Sequence, residues 1–193
     1  MKILAFDTAV MGCSVAVYDS SLDRSWVERL ETERGQAEFL VPMIQSVMQK
    51  ANVGFADLDL IAVTIGPGSF TGVRIGLATA RALSLASGKP LVGISTLELL
   101  LAQSGVTGDA LVLVDTKRDD FYGQVFGSAA QEARIWQPAE VEVSEFVTVQ
   151  EIPDPVVLAK LAVTAPLQVD MPNPIYLRDA EVSTPKRAAP TAI

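Results

Sequence analysis

Few residues in this chain are suited to chemistry, and two features stand out. The first is the string Gly66-Pro-Gly-Ser-Phe-Thr-Gly-Val-Arg-Ile-Gly76, in which a glycine-hinged turn follows an apolar run and precedes a helical period. Ser69 or Thr71 is placed to cap that helix, leaving backbone N–H groups turned outward. Such an end can hold an anion, or it can be a plain strand-to-helix connection. The string is not a P-loop, because no Gly-Lys-Ser/Thr follows, and it does not match GxGxxG. The second feature is a pair of aspartates, Asp7 and Asp115, each ending an apolar run and each followed by threonine. Between two lobes, such carboxylates hold magnesium and a nucleotide through water. Each can equally tie its own turn. The candidate nucleotide or anion cleft is therefore Asp7, Thr8, Gly66, Gly68, Ser69 and Asp115. No third acidic ligand is evident, so no metal site is assigned.

Composition removes other chemistries. The chain has 193 residues, no histidine, one cysteine, and 15 basic against 23 acidic residues, for a net charge of −8. Without histidine there is no Ser-His-Asp triad, no Cys-His pair and no HExxH-type zinc site. The acidic balance opposes direct nucleic-acid binding, which depends on Lys and Arg displacing counterions. Cys13 lies in an apolar run and reads as a buried small hydrophobe; alone, it forms no intrachain disulfide. No signal-peptide pattern and no apolar run long enough to span a bilayer is present, so a soluble, cytoplasmic protein without membrane attachment is expected. An apolar fraction of 49% is enough for a real core.

The elements that must position these residues follow from periodicity. MKILAFDTA and GCSVAVYD predict a two-stranded hairpin, and residues 24–30 a third strand. From 36 to 51 apolar residues recur at three and four, predicting an amphipathic helix that Pro42 kinks or places in its first turns. LDLIAVTIG predicts a strand buried on both faces. A helix over 71–87, a strand at 91–94 and a helix opened by Ser95-Thr96 with Glu98 near the capping-box position complete this half. The order is that of a ribonuclease-H-like lobe.

Placing Asp7 on Asp115 aligns DTAVMGCSVAVY with DTKRDDFYGQVF without a gap, at an offset of 108. Each copy follows an apolar strand, which suggests two related lobes, the second truncated. The expected division is 1–105 for the N-terminal lobe and 106–193 for a shorter C-terminal lobe. A helix at 156–163 and an extended PIYLR stretch at 174–178 are expected in it, with a mobile tail over about 182–193. The run Lys117-Arg118-Asp119-Asp120 reads as a solvated hairpin turn. Within the 71–87 helix, Gly72, Gly76 and Ala80 repeat every four residues. Glycine costs about 1 kcal/mol relative to alanine in a helix interior, so close packing is the expected return. It is made either with the chain's own sheet or with another chain. Arg74 and Arg81 flank the stripe, where they could meet a partner's carboxylates.

The combination ILAFDTA, CSVAVYD, IGPGSFTGVRIGLATARALS, GISTLELL and PIYLRD resembles the TsaB (YeaZ) family, paralogues of TsaD. The resemblance implies an α/β fold of two ribonuclease-H-like lobes of the actin-like, sugar-kinase and Hsp70 ATPase type. It implies support for making N6-threonylcarbamoyladenosine next to the anticodon in tRNAs that read codons beginning with A. In that scheme TsaC-type enzymes make threonylcarbamoyl-adenylate, TsaD transfers the group, and TsaB with TsaE supports TsaD. TsaD carries a His-x-x-x-His metal site that this histidine-free chain lacks, so a non-catalytic scaffold is implied. No cofactor is then required by the chain itself, ATP and magnesium acting at the level of the complex. The family pairs through the first two helices of the N-terminal lobe, with TsaD or, alone, with a second copy as a homodimer. Carried over by position, the interface candidates are Leu40, Met43, Val47, Gly72, Arg74, Gly76, Leu77, Ala78 and Arg81. Two departures are Gln36, where many relatives carry histidine, and the shortened second lobe. Proteolysis, an older label for such sequences, lacks a nucleophile and base here; a small-molecule kinase or ATPase is the alternative that the fold allows.

Overall fold

Two apolar runs at the N-terminus form an antiparallel hairpin, β1 (Lys2–Asp7) with β2 (Cys13–Asp19), and β3 (Arg24–Leu30) joins β2. On the other side of β1, β4 (Leu60–Thr64) and β5 (Leu91–Ile94) add in parallel, giving the order β3-β2-β1-β4-β5. This is the mixed sheet of a ribonuclease-H-like lobe. A computed structural model describes residues 1–32, 34–167 and 170–178; the tail expected over 182–193 lies outside the described residues.

Alternation along β1 divides the core in two. Leu4 and Phe6 face α1 (Gln36–Ala51) and α2 (Phe70–Ser87), while Ile3 and Ala5 face α3 (Thr96–Ser104) and α5 (Pro155–Thr164). Helices on both faces explain why every residue of β2 and β4 is buried. α1 runs through Pro42 and ends at Asn52 in the left-handed conformation. α3 opens on the expected capping box, Ser95 with Glu98.

The second sheet repeats the first at the expected offset. β6 (Ala110–Asp115) pairs antiparallel with β7 (Phe121–Phe126), which pairs with β8 (Arg134–Trp136). β9 (Val147–Val149) lies parallel to β6, so the order is β8-β7-β6-β9. Among the described residues, the equivalent of β5 is missing, and α4 (Pro138–Glu142) replaces the long α1 with one short helix. α3 joins the lobes: Leu99 packs on the first sheet, whereas Leu97 and Leu100 pack on Val112 and Val114 of β6.

Two placements differ from the sequence-based division. α5 follows the second sheet in the chain, yet Leu158, Ala159 and Ala162 bury against β1, β4 and β5. On the second sheet α3 packs against one face and Val141 of α4 against the other. Residues 171–176 then run without regular secondary structure to α2 of the first lobe, where the Ile175 N–H donates to the Ile65 carbonyl at 2.8 Å. Among the described residues no helix is long and apolar enough to cross a membrane.

Leu40, on the core side of α1, is fully buried between the helix and the sheet. Replacing it by alanine removes about three buried methyl or methylene groups, so Leu40→Ala is expected to cost about 3 kcal/mol of unfolding free energy. Urea denaturation checks this; a loss under about 1 kcal/mol would contradict the burial.

Candidate functional site

The glycine string acts first as a spacer. Ser69 caps α2 by accepting from the Gly72 N–H at 3.3 Å, and its own N–H donates to the Ala9 carbonyl at 2.6 Å. The Thr8 hydroxyl donates to the Gly72 carbonyl at 2.7 Å. A side chain at Gly68 would strike the Ala9 carbonyl and one at Gly72 the Thr8 carbonyl; at Gly76 a Cβ would lie 2.6 Å from Thr8 Oγ1. The start of α2 is thus pressed onto the β1–β2 turn. Gly66, at φ +95°, makes the bend that begins this approach, and the Ile175 carbonyl stands where its side chain would be.

Asp7 belongs to the same junction, and its position corrects the expectation of a carboxylate open to the cleft. Its Oδ1 accepts from the Ala9 N–H at 3.0 Å and from the Thr64 hydroxyl at 2.5 Å, and the residue is 2% exposed. Burial pushes its carboxyl above the ordinary value, with the Thr64 and Ala9 hydrogen bonds opposing. Asp115 makes the matching turn in the second lobe, accepting from the Lys117 N–H at 2.7 Å and from Lys117 Nζ at 3.1 Å. The Lys117 N–H holds it below the usual carboxylate range. Both aspartates tie turns in the same i, i+2 pattern, which is the structural basis of the sequence repeat.

Between the lobes lies a cleft of about 460 Å³. Its walls are the β1–β2 turn at Ala9 and Val10, the start of α2 from Pro67 to Thr71, the β6–β7 turn from Asp115 to Arg118 with Tyr122, and residues 175–178. Of the candidate cleft residues, Gly68, Ser69 and Asp115 line it, whereas Asp7, Thr8 and Gly66 lie outside its lining. The turn read as solvated is exposed at Lys117, Arg118 and Asp119, and only Asp120 departs from that expectation. Asp120 is 9% exposed, accepts from the Thr116 hydroxyl at 2.5 Å and pairs with Arg178. Those two partners, Thr116 first, hold its carboxyl low. Cys13 is buried as expected, and burial raises its thiol to about 11.

The partner-interface candidates divide sharply. Leu40, Met43, Val47 and Leu77 are buried in the chain's own core, and Gly72 and Gly76 are closed by Thr8, so none of the six offers a docking surface. The reason is amphipathicity: the stripe at spacing three and four is the one the sheet covers. Arg74 and Ala78 are exposed and Arg81 is half-buried. Both arginines already hold the chain's own residues 172–176. Arg74 lies 3.7 Å over the Phe70 ring and donates from Nε to the Tyr176 hydroxyl at 3.1 Å; Arg81 donates to the Pro172 carbonyl at 2.5 Å. What sequence reasoning missed is the outer face of the two helices, where Phe39, Val41 and Leu85 are 43%, 44% and 74% exposed. Their signal is that they are large apolar residues lying off the buried stripe.

Residues 30–190 match the family described as TsaD: tRNA N6-adenosine threonylcarbamoyltransferase. The chain is 35% identical over 144 residues to the tRNA threonylcarbamoyladenosine biosynthesis protein TsaB of Escherichia coli, covering 74% of this chain and 61% of that one. It is 55% identical over 65 residues to the tRNA N6-adenosine threonylcarbamoyltransferase of Erythrobacter litoralis, covering 34% of this chain and 19% of that one. The chain therefore spans at most about six tenths of these curated relatives. A crystal structure from Pseudomonas aeruginosa, described by its similarity to the peptidase YeaZ, superposes with a TM-score of 0.78 at 23% identity, covering 92% of this chain and 99% of that one. That likeness establishes the fold.

Asp7 yields a prediction with a definite sign. A carboxyl raised by burial binds its proton more tightly folded than unfolded, so it favours folding below about pH 3.8 and loses that contribution as pH rises through its folded value. Asp7→Asn keeps the Oδ1 acceptor and removes the charge. Urea unfolding from about pH 3 to about pH 8 is expected to show the variant gaining stability relative to the parent as pH rises; a difference that stays constant over the whole range would contradict a raised Asp7 carboxyl.

Proposed function

Since the chain belongs to the TsaD family, on its TsaB (YeaZ) branch, we propose that it is the non-catalytic member of the threonylcarbamoyladenosine machinery, a scaffold that binds TsaD and supports transfer to the adenosine beside the anticodon. The observation that carries this reading is the outer face of α1 and α2. The two helices pack side by side on one face of the first sheet and turn Phe39, Val41, Ala78 and Leu85 to solvent. Large apolar side chains on adjacent helices are what a helical partner covers, and they lie on the helices through which the family resemblance implies pairing.

The seclusion of Asp7 and the Asx role of Asp115 support the absence of catalysis by this chain, because the two carboxylates do not converge in the cleft. In this reading the chain requires no cofactor of its own, ATP and magnesium being used by the assembled complex, which also contains TsaE. Contact with tRNA falls to the partner, since a protein of charge −8 repels phosphate. Self-pairing through the same face is the state of the chain when the partner is absent. A cytoplasmic setting follows from the substrate.

Co-purification with the host TsaD, followed by a tRNA-modification assay, tests this directly. A stable complex whose activity needs this chain is expected. Leu85→Glu, which places a charge on an exposed position without touching the core, is expected to weaken binding at least tenfold while leaving the melting temperature unchanged. Complex formation and modification unaffected by the chain would overturn the proposal, as would threonylcarbamoyl transfer by the chain alone.

A further inference from the structure

Residues 171–178 cross the first lobe as a strap, and the structure ties it down at four places. Pro172 and Asn173 receive Arg81, the Ile175 N–H reaches the Ile65 carbonyl, Tyr176 meets Phe70 at a ring separation of 5.0 Å, and Arg178 pairs with Asp120 of the second lobe. The strap thus lies along one side of the exposed part of α2, whose outward positions are Thr71, Arg74, Ala78, Ala82, Leu85 and Ala86; α1 lies along the other. The result is a shallow trough with an alanine floor, bordered on one side by α1 and on the other by Tyr176 and Arg74.

The charge of this trough is opposite to that of the molecule. α2 contains Arg74 and Arg81 and no acidic residue, in a chain whose net charge is −8. Arg81 is committed to the strap. Arg74 is held differently: Nε donates to the Tyr176 hydroxyl and the guanidinium stacks on Phe70, while its two terminal amino groups have no partner among the described residues. An arginine pinned through Nε and one ring face keeps its outer edge for a carboxylate and loses little side-chain entropy on engaging it.

We propose that the strap is the third wall of the docking face and that Tyr176 positions Arg74 to receive a carboxylate from a helix of the partner. The inference rests on the docking of TsaD at α1 and α2 proposed above and adds to it the strap, the positioning residue and the chemistry of the partner helix: small or apolar residues against Ala78 and Ala82, with an Asp or Glu opposite Arg74. A second copy of this chain fits less well, since its α1 and α2 would supply Glu38 as their one carboxylate and set arginine against arginine.

Calorimetric titration of the full chain with the host TsaD at two salt concentrations, using Tyr176→Phe, Arg74→Gln, the double variant and Leu85→Glu, tests it. Tyr176→Phe removes one hydroxyl from a 39%-exposed ring and is expected to leave the melting temperature unchanged. Tyr176→Phe and Arg74→Gln are each expected to raise Kd about fivefold and to flatten its salt dependence, with the double variant no weaker than Arg74→Gln alone. Parental affinity and salt dependence in Arg74→Gln, with binding lost in Leu85→Glu, would overturn the carboxylate contact and leave the docking reading standing. Weakening by Arg74→Gln without any by Tyr176→Phe would remove the positioning role. Absence of binding by the parent would overturn the docking reading, and this inference with it. Sedimentation of the chain alone supplies the remaining arm: a dimer weakened by Arg74→Gln, with TsaD affinity unchanged, would assign the carboxylate to a second copy and overturn the proposal.

Discussion

The rest of this structure depends on one close approach, that of α2 to the turn between β1 and β2. The carbonyls of Thr8 and Ala9 and the Thr8 hydroxyl occupy the space that side chains at positions 68, 72 and 76 would need. Glycine there costs helix stability, offset by hydrogen bonds from Ser69 and Thr8 that join strand end to helix start. The junction sets where α2 lies on the sheet, which side of it is buried and how the first wall of the cleft is shaped. It also closes over Asp7, so a carboxylate at the end of a central strand becomes a structural tie rather than an open ligand.

From that junction the two faces of α1 and α2 acquire separate roles. Leu40, Ile44, Val47, Leu77 and Ala80 fill one core, and nothing of that stripe is left for a partner. The surface that remains is built from residues off the stripe, and its apolar character stands out because Phe39, Val41 and Leu85 have no covering element among the described residues. Burial has thus used the residues that sequence periodicity marks most clearly, and has left exposed those it marks least.

The lobes are joined by shared elements. α3 gives Leu99 to one sheet and Leu97 and Leu100 to the other, α5 returns from the second half to the first sheet, and the 171–178 strap runs from Arg81 and Arg74 to Asp120. A truncated second lobe needs such support: with four strands and one short helix of its own it buries less apolar area than the first, and hydrophobic stabilisation scales with that area. The same links place strap residues in the cleft wall and along the exposed side of α2, so the two surfaces share a border.

Much of the fold was legible in the chain, because local patterns and local physics agree there. Runs such as LDLIAVTIG, the three-and-four spacing from Ala37 to Ala51, the Ser95–Glu98 capping box and the 108-residue repeat of Asp7 on Asp115 each express a property of neighbouring residues, and each became the element it predicted. The absence of histidine likewise excludes a Ser-His-Asp triad and an HExxH-type zinc site within this chain. Tertiary structure alone decided the rest. That Asp7 turns inward while Asp115 stays at the cleft, that Gly72 and Gly76 serve the chain's own turn, that α5 crosses to the first sheet, and that Arg74 and Arg81 hold a strap about a hundred residues away are contacts between distant segments. Periodicity shows that a helix has an apolar side; only the packed molecule determines what covers it, because burial depends on which segments the whole chain brings together.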